Sequence, residues 1–155
     1  MKDAPALFFY EQSDAFEALV QGDESIFESR PRLLVFAASV GFRRNHWVED
    51  HDTNGESRWN YIAQNPRLSL IVSSITYAHT QDPMSILDPE AQINVLTSYG
   101  AGGTRILERE VVEKPGTNLE NMISFLNENR DQEEITAQVG ILEEIEQEIS
   151  SLRSD

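Results

Sequence analysis

The segment from residue 32 to residue 42 is the most apolar part of the chain, and it constrains the fold more than any other feature. Pro31 precedes it, and proline is well suited to the first turn of a helix. A helix that is apolar nearly all round must be buried, so we expect 32–42 to form the central helix. A buried strand is the competing interpretation, although Ala37-Ala38 favours a helix. The apolar positions are Leu33, Leu34, Val35, Phe36, Ala37, Ala38, Val40 and Phe42.

Signals for helix starts recur along the rest of the chain. Ser13 is a good N-cap residue before a predicted helix at 14–21, and Asn65-Pro66 and Asp88-Pro89 each combine a cap with a first-turn proline. We expect helices after both pairs, although the β-branched residues of 71–77 make a strand a possible alternative for that segment. The sequence therefore predicts a mainly α protein, a compact single-domain helical bundle of about six or seven helices.

Gly100, Gly102 and Gly103 interrupt the apolar pattern that follows Asp88-Pro89, and Thr104 can restart a helix. The run is similar to a loop whose backbone N–H groups cradle phosphate, but it lacks the lysine of a P-loop. The structural alternative is a close helix contact or a sharp turn that requires no side chain.

The C-terminal part carries two further helix signals. Thr117 and Glu120 have the spacing of a capping box, and we expect a buried stripe of Leu119, Met122, Ile123 and Leu126 behind it. Residues 131–152 are predicted to form an acidic amphipathic helix with a narrow apolar seam. We therefore divide the chain into a helical domain, 1–130, and an acidic C-terminal helix, 131–155. This helix either contacts a partner, a second copy included, or folds back on its own domain.

The charge balance limits the choice of partners. The chain has 27 acidic and 12 basic residues, for a net charge of −15, and this disfavours unaided binding to DNA while favouring basic partners. There is no Cys, which excludes disulfides and thiolate chemistry. No stretch approaches the roughly 18 apolar residues of a membrane span. We expect a cytoplasmic protein with no cofactor.

The polar segment 45–57 is predicted to be an exposed loop. It contains side chains that could bind zinc or manganese, but their spacing matches no metal signature, so a solvated loop is the preferred interpretation. A metal-dependent hydrolase is accordingly the third hypothesis for function. The candidate ligands are His46, Glu49, Asp50, His51 and Asp52.

Half of the basic residues fall between residues 30 and 67, where they outnumber the acids. Guanidinium groups and aromatic rings that share one surface suit phosphate backbones or the centre of a protein interface. The alternative is that these arginines only neutralise neighbouring acids. The candidate binding residues, for a partner protein or DNA, are Arg30, Arg32, Arg43, Arg44, Trp47, Arg58 and Trp59.

Two segments resemble a known family. The run 34–43 has the hydrophobic-Phe-Ala-Ala-x-x-Gly-aromatic-basic pattern of the fourth Dnd-system-associated protein family, and 99–107 is similar to its paired glycines before an Ile-Leu step. The resemblance implies an accessory subunit of a DNA phosphorothioation-linked restriction or antiviral defence system, working beside ATPase or nuclease subunits, and it supplies no catalytic residues. We therefore expect a non-enzymatic adaptor that binds partner proteins, with DNA as a further ligand. A DNA-binding transcriptional regulator is the alternative.

Overall fold

Helices make up most of the structure, and a small antiparallel sheet packs beside them. The computed structural model describes residues 3–130 and 145–151, and residues 3–130 form one compact, mainly α domain, as predicted. The sheet consists of β1 (Leu7–Tyr10) and β2 (Gly55–Arg58). The helices before residue 131 are α1 (Asp14–Val20), α2 (Arg30–Arg43), α3 (Asn60–Ala63), α4 (Pro66–Thr80), α5 (Pro89–Leu107) and α6 (Asn118–Arg130). A 3-10 turn at Pro83–Leu87 precedes α5, and a π-helical turn at Glu108–Val112 follows it.

The central position of α2 confirms the main expectation from the sequence. Its side chains at Leu33, Leu34, Val35, Ala37 and Ala38 are at most 2% exposed, and its most extensive packing is against α5. The helix begins after Ser29, whose hydroxyl accepts a hydrogen bond from the Arg32 N–H. The strand interpretation of this segment is wrong, because the apolar residues cover the helix nearly all round rather than alternating.

The contact between α2 and α5 depends on two glycines. A Cβ atom on Gly103 would lie 1.6 Å from the carbonyl oxygen of Ala37, and one on Gly41 would lie 2.1 Å from that of Tyr99. The two helix backbones therefore touch directly. The predicted interruption near residue 100 is wrong, since α5 runs unbroken from residue 89 to 107, and the alternative of a close helix contact is confirmed. These glycines lie inside the helix, so they do not form a phosphate loop.

Side-chain caps begin the other long helices where the sequence places them. The Ser13 hydroxyl accepts from the Phe16 N–H, and carboxamide or carboxylate oxygens of Asn65 and Asp88 accept from the first turns of α4 and α5. The Thr117 hydroxyl accepts from the Glu120 N–H at 3.2 Å. The strand alternative for residues 71–77 is wrong, because that segment lies within α4.

The buried stripe predicted for α6 is wrong in three of its four positions. Only Met122 is buried, whereas Leu119, Ile123 and Leu126 are 58%, 51% and 47% exposed. The helix is rotated so that Phe125 lies inside instead. Polar anchors explain the rotation, because the buried residues Asn118 and Asn129 bond to groups elsewhere in the domain.

The sheet corrects the prediction that residues 45–57 form a loop throughout. Residues 55–58 pair with β1 in a register that sets Leu7 opposite Arg58 and Tyr10 opposite Gly55. Phe8 and Tyr10 point into the core, while Leu7 and Phe9 are 41% and 50% exposed. The apolar face of β1 thus attaches the sheet to the helices and leaves its other face open.

The predicted acidic helix at 131–152 lies largely outside the described residues, and so does the proposed domain boundary at residue 131. Residues 145–151 are helical and every one of them is exposed. The contact of this helix with a partner, a second copy or its own domain remains a prediction. None of the helices within the described ranges is long and apolar enough to cross a membrane.

Candidate interaction site

The seven candidate binding residues do not form a single surface. Arg30 begins α2 and Arg44 is its C-cap residue, so at 1.5 Å per residue they are separated by about 20 Å along the axis. Arg30 and Arg58 line one groove near the start of α2. The groups at 43, 44 and 47 lie near the end of the same helix. The single arginine surface expected from the sequence is therefore divided into two regions, which we call the start region and the end region.

In the end region, Arg44 is held by neighbours from the second half of the chain. Its guanidinium donates to Glu110 at 3.0 Å and to the Asn129 side-chain oxygen at 3.0 and 3.2 Å. The same group lies over the ring of Phe125, 5.7 Å from its centre. Arg44 thus joins α2, the π-helical turn and α6. Arg43, one residue earlier, is exposed, and its side chain has no hydrogen bond or ion pair with any residue of the described ranges.

Trp47 is also engaged within the protein. Its ring stacks on His79 with a centroid distance of 4.5 Å, and it meets Tyr99 edge-on at 4.9 Å. The indole N–H donates to Glu49 at 2.6 Å, and the Tyr99 hydroxyl lies 2.8 Å from Nδ1 of His79. Burial raises the pKa of the Tyr99 phenol. Trp47 therefore fixes the loop after α2 to α4 and α5.

A second anchor holds this loop to the sheet. The carboxylate of Glu11 accepts from the Arg105 guanidinium at 2.8 and 3.2 Å and from the Asp52 N–H at 3.1 Å. Burial alone would raise the pKa of Glu11, but the hydrogen bonds from Arg105 and Asp52 outweigh that effect and lower it. The loop is thus held at both ends by side chains rather than lying free in solvent.

The loop residues considered as metal ligands are dispersed. Burial and the nearby Arg109 and Arg105 charges lower the pKa of His46, and Nδ1 of His51 lies 2.8 Å from the Asp52 carbonyl oxygen. Within residues 3–130 and 145–151, no three His, Asp or Glu side chains come together in an arrangement that could hold a metal ion.

The start region is open. A groove of about 590 Å³ lies beside β2 and is lined by Arg30, Pro31, Arg58 and Tyr61, among others. A second hollow of about 650 Å³ lies beside the chain before β1. The two hollows share Leu7 and Arg58, so they lie side by side.

The side chains of this groove differ in their availability. Arg30 forms a two-bond ion pair with Glu17, at 2.9 Å for each bond, and this pairing raises its pKa. Arg58 is exposed and makes no ion pair or hydrogen bond with the part of the chain that the structure describes. Beside it, Leu7 and Tyr61 are 41% and 56% exposed. The groove therefore presents one unpaired guanidinium between apolar groups.

The remaining two candidates take supporting or peripheral positions. Trp59 is 6% exposed, packs edge-on against Phe8 and lines the second hollow rather than the groove. Arg32 is exposed in the first turn of α2. Leu7 and Tyr61 were not among the sequence candidates. The four-residue strand that exposes Leu7 is too short to be recognised from its pattern, and only the aromatic character of Tyr61 beside the arginine cluster pointed to it.

Together, the fold and the groove define a small, mainly α, acidic protein with an open and partly apolar groove. The model of a family described as DNA sulphur modification system-associated protein 4 matches residues 10–145. This chain belongs to that family, which confirms the resemblance found at 34–43 and 99–107 and associates the protein with a DNA sulphur modification system. Neither the curated proteins nor the solved structures contain a significant match to it.

Proposed function

We propose that this protein is a non-enzymatic accessory subunit that binds other protein components of a DNA sulphur modification system through the groove at the start of α2. The observation that carries the proposal is the exposed Arg58, whose side chain pairs with no described residue and lies beside Leu7 and Tyr61 in a concave surface. Arg and Tyr are enriched among the residues that dominate binding energy at protein interfaces. The sequence resemblance suggests the ATPase or nuclease subunits of a linked restriction or antiviral system as the partners.

In this proposal, contact with DNA occurs only within the assembled complex. The net charge of −15 repels a polyanion, and both Arg30 and Arg44 already pair with carboxylates. We assign this contact with DNA to Arg43 in the end region and to Arg58 in the start region. The protein alone would neutralise too few phosphates to bind DNA at physiological salt.

The test is co-purification from a host that carries the complete system, with a tag on this chain. We expect the wild-type protein to recover at least one other component. The double variant Arg58→Ala/Tyr61→Ala should reduce that recovery more than tenfold. The matched control is Arg67→Ala/Tyr77→Ala, which removes an exposed Arg and an exposed Tyr from α4, outside the groove, and should leave recovery unchanged.

Two results would contradict the proposal. Recovery of no system component by the wild-type chain would remove the adaptor role. Tight binding of the isolated protein to duplex DNA, with an affinity that falls steeply between 50 and 200 mM salt (roughly the range over which phosphate readers weaken), would favour the DNA-binding regulator instead.

A further inference from the structure

A two-stranded sheet leaves one edge of each strand without a partner strand. In an antiparallel pair, residues alternate between those whose backbone groups face the other strand and those whose groups point away. The Trp59 N–H donates to the Ala6 carbonyl at 3.1 Å, so this pair faces inward. Counting along the register, Ser57 also faces β1, whereas Glu56 and Arg58 turn their N–H and C=O groups away from it.

The outer edge of β2 opens into the groove of the start region. Glu56, Ser57 and Arg58 all line that groove, and consecutive side chains of a strand lie on opposite faces of a sheet. A groove that reaches three consecutive residues must therefore run along the edge of the strand. Within the described chain, no hydrogen bond outside the sheet involves the backbone of Glu56 or Arg58.

We infer that an extended segment of a partner protein adds to β2 as a third strand in this groove. This inference rests on the proposed function for the source of the segment. A helix has already satisfied its own backbone groups, so it could not use the donors and acceptors of Glu56 and Arg58, whereas an extended chain can. The row of unpaired backbone groups, together with the concave space beside it, thus selects the conformation of the partner.

The side chains of the edge also select the sequence of the segment. Residues directly opposite each other on one face of a sheet interact, and opposite charges at such positions stabilise the pair. Arg58 and Glu56 share the outer face of β2 and are two residues apart. The partner segment should therefore carry an acidic residue opposite Arg58 and, two positions along, a basic residue opposite Glu56. On that side the segment also meets Tyr61, which favours an apolar neighbour.

The first experiment compares two substitutions at one position, with 12-residue peptides that tile the component recovered by co-purification as the probe. Arg58→Pro removes the outward N–H and the charge but no bond to β1, because proline is tolerated where the N–H faces away from the sheet. Arg58→Thr removes the charge and keeps the N–H. We expect Arg58→Pro to weaken peptide binding at least tenfold more than Arg58→Thr does. Equal effects of the two substitutions would overturn the inference.

The second experiment uses the unaltered protein and so does not depend on whether the proline variant folds. In the free protein, the amide hydrogens of Glu56 and Arg58 should exchange rapidly, and that of Ser57 slowly. On addition of the recovered component, exchange at Glu56 and Arg58 should slow at least tenfold. A component that binds without slowing it overturns the added strand and leaves the proposed function intact. If the wild-type chain recovers no component, the proposed function fails, and this inference fails with it.

Discussion

Two arginines, Arg44 in the end region and Arg58 in the start region, are used in opposite ways. Arg44 in the end region bonds to Glu110 and Asn129, which are 66 and 85 residues away in the sequence. Arg58 in the start region bonds to nothing in the described part of the chain. Both belong to one cluster of arginines in a chain with many acids. The difference shows that distant elements, rather than the local charge pattern, decide which cations stabilise the fold and which remain available to a partner.

The largest expected effect comes from separating α2 from α5, which would disrupt the framework that both regions share. Gly103→Ala places a methyl group 1.6 Å from the Ala37 carbonyl oxygen, so the backbones must move apart. We expect the free energy of unfolding to fall by about 3 kcal/mol, at the upper end of the cost of overpacking. Urea denaturation monitored by circular dichroism measures this change.

The control for this substitution lies on the same helix. A Cβ on Gly100 would meet the terminal Cδ1 of Leu34 at 2.7 Å, and a flexible side chain can move away more easily than a backbone. Gly100→Ala should therefore cost clearly less than Gly103→Ala. Equal losses for the two variants would show that the direct backbone contact does not determine how tightly the helices pack.

A second effect sharpens the comparison between neighbouring arginines of the end region. Arg44→Ala removes the bonds to Glu110 and Asn129, and hydrogen bonds to a charged group contribute about 2 kcal/mol. Arg43→Ala removes an exposed side chain without such bonds and should change stability by less than about 0.5 kcal/mol. Thermal unfolding of both variants measures this difference in stability. The difference should disappear if the Arg44 side chain bonds to water in solution instead of to Glu110 and Asn129.

The smallest effect concerns the pH dependence of the loop between the two regions. The pKa of Glu11 in the folded protein lies below its ordinary value of 4.5, so its stabilising contribution is present above pH 4.5 and is lost as the pH falls through the lowered folded value. Glu11→Gln should therefore reduce the free energy of unfolding by about 1.5 kcal/mol at pH 7 and by much less at pH 3.

Denaturation series at pH 7 and pH 3 measure that difference. Glu56→Gln is the control, because it alters an exposed carboxylate that has no hydrogen bond with the described residues. If Glu11→Gln reduced the free energy of unfolding equally at both pH values, the pairing of residue 11 with Arg105 would not depend on the charge of residue 11.

Local signals predicted the helices well because they act over only a few residues. Ser13, Asn65, Asp88 and Thr117 each cap a helix through an N–H two or three residues away, and the apolar run at 32–42 requires burial whatever surrounds it. The fold class could therefore be read from the sequence. The helix interruption expected at the glycines near residue 100 was wrong, because their role depends on the backbone of α2, which lies about 60 residues earlier in the chain.

The candidate site was less predictable because it depends on pairings between distant segments. The sequence Gly-Glu-Ser-Arg of β2 has no apolar alternation, and it becomes a strand only because β1 pairs with it. The side chains that form hydrogen bonds with Arg44 come from the π-helical turn and α6. Composition could identify the arginine cluster, but it could not separate Arg58 from Arg44.

The placement of the two tryptophans gives each region its own optical signal. Trp59 lines the second hollow, which adjoins the groove, and Trp47 lies against His79 beside the end of α2. Replacing either indole with phenylalanine would leave fluorescence from the other alone, because the chain has only two. A ligand that enters the second hollow would then shift the emission of the variant that keeps Trp59. The emission of the variant that keeps Trp47 would stay unchanged, so occupancy could be followed without any attached dye.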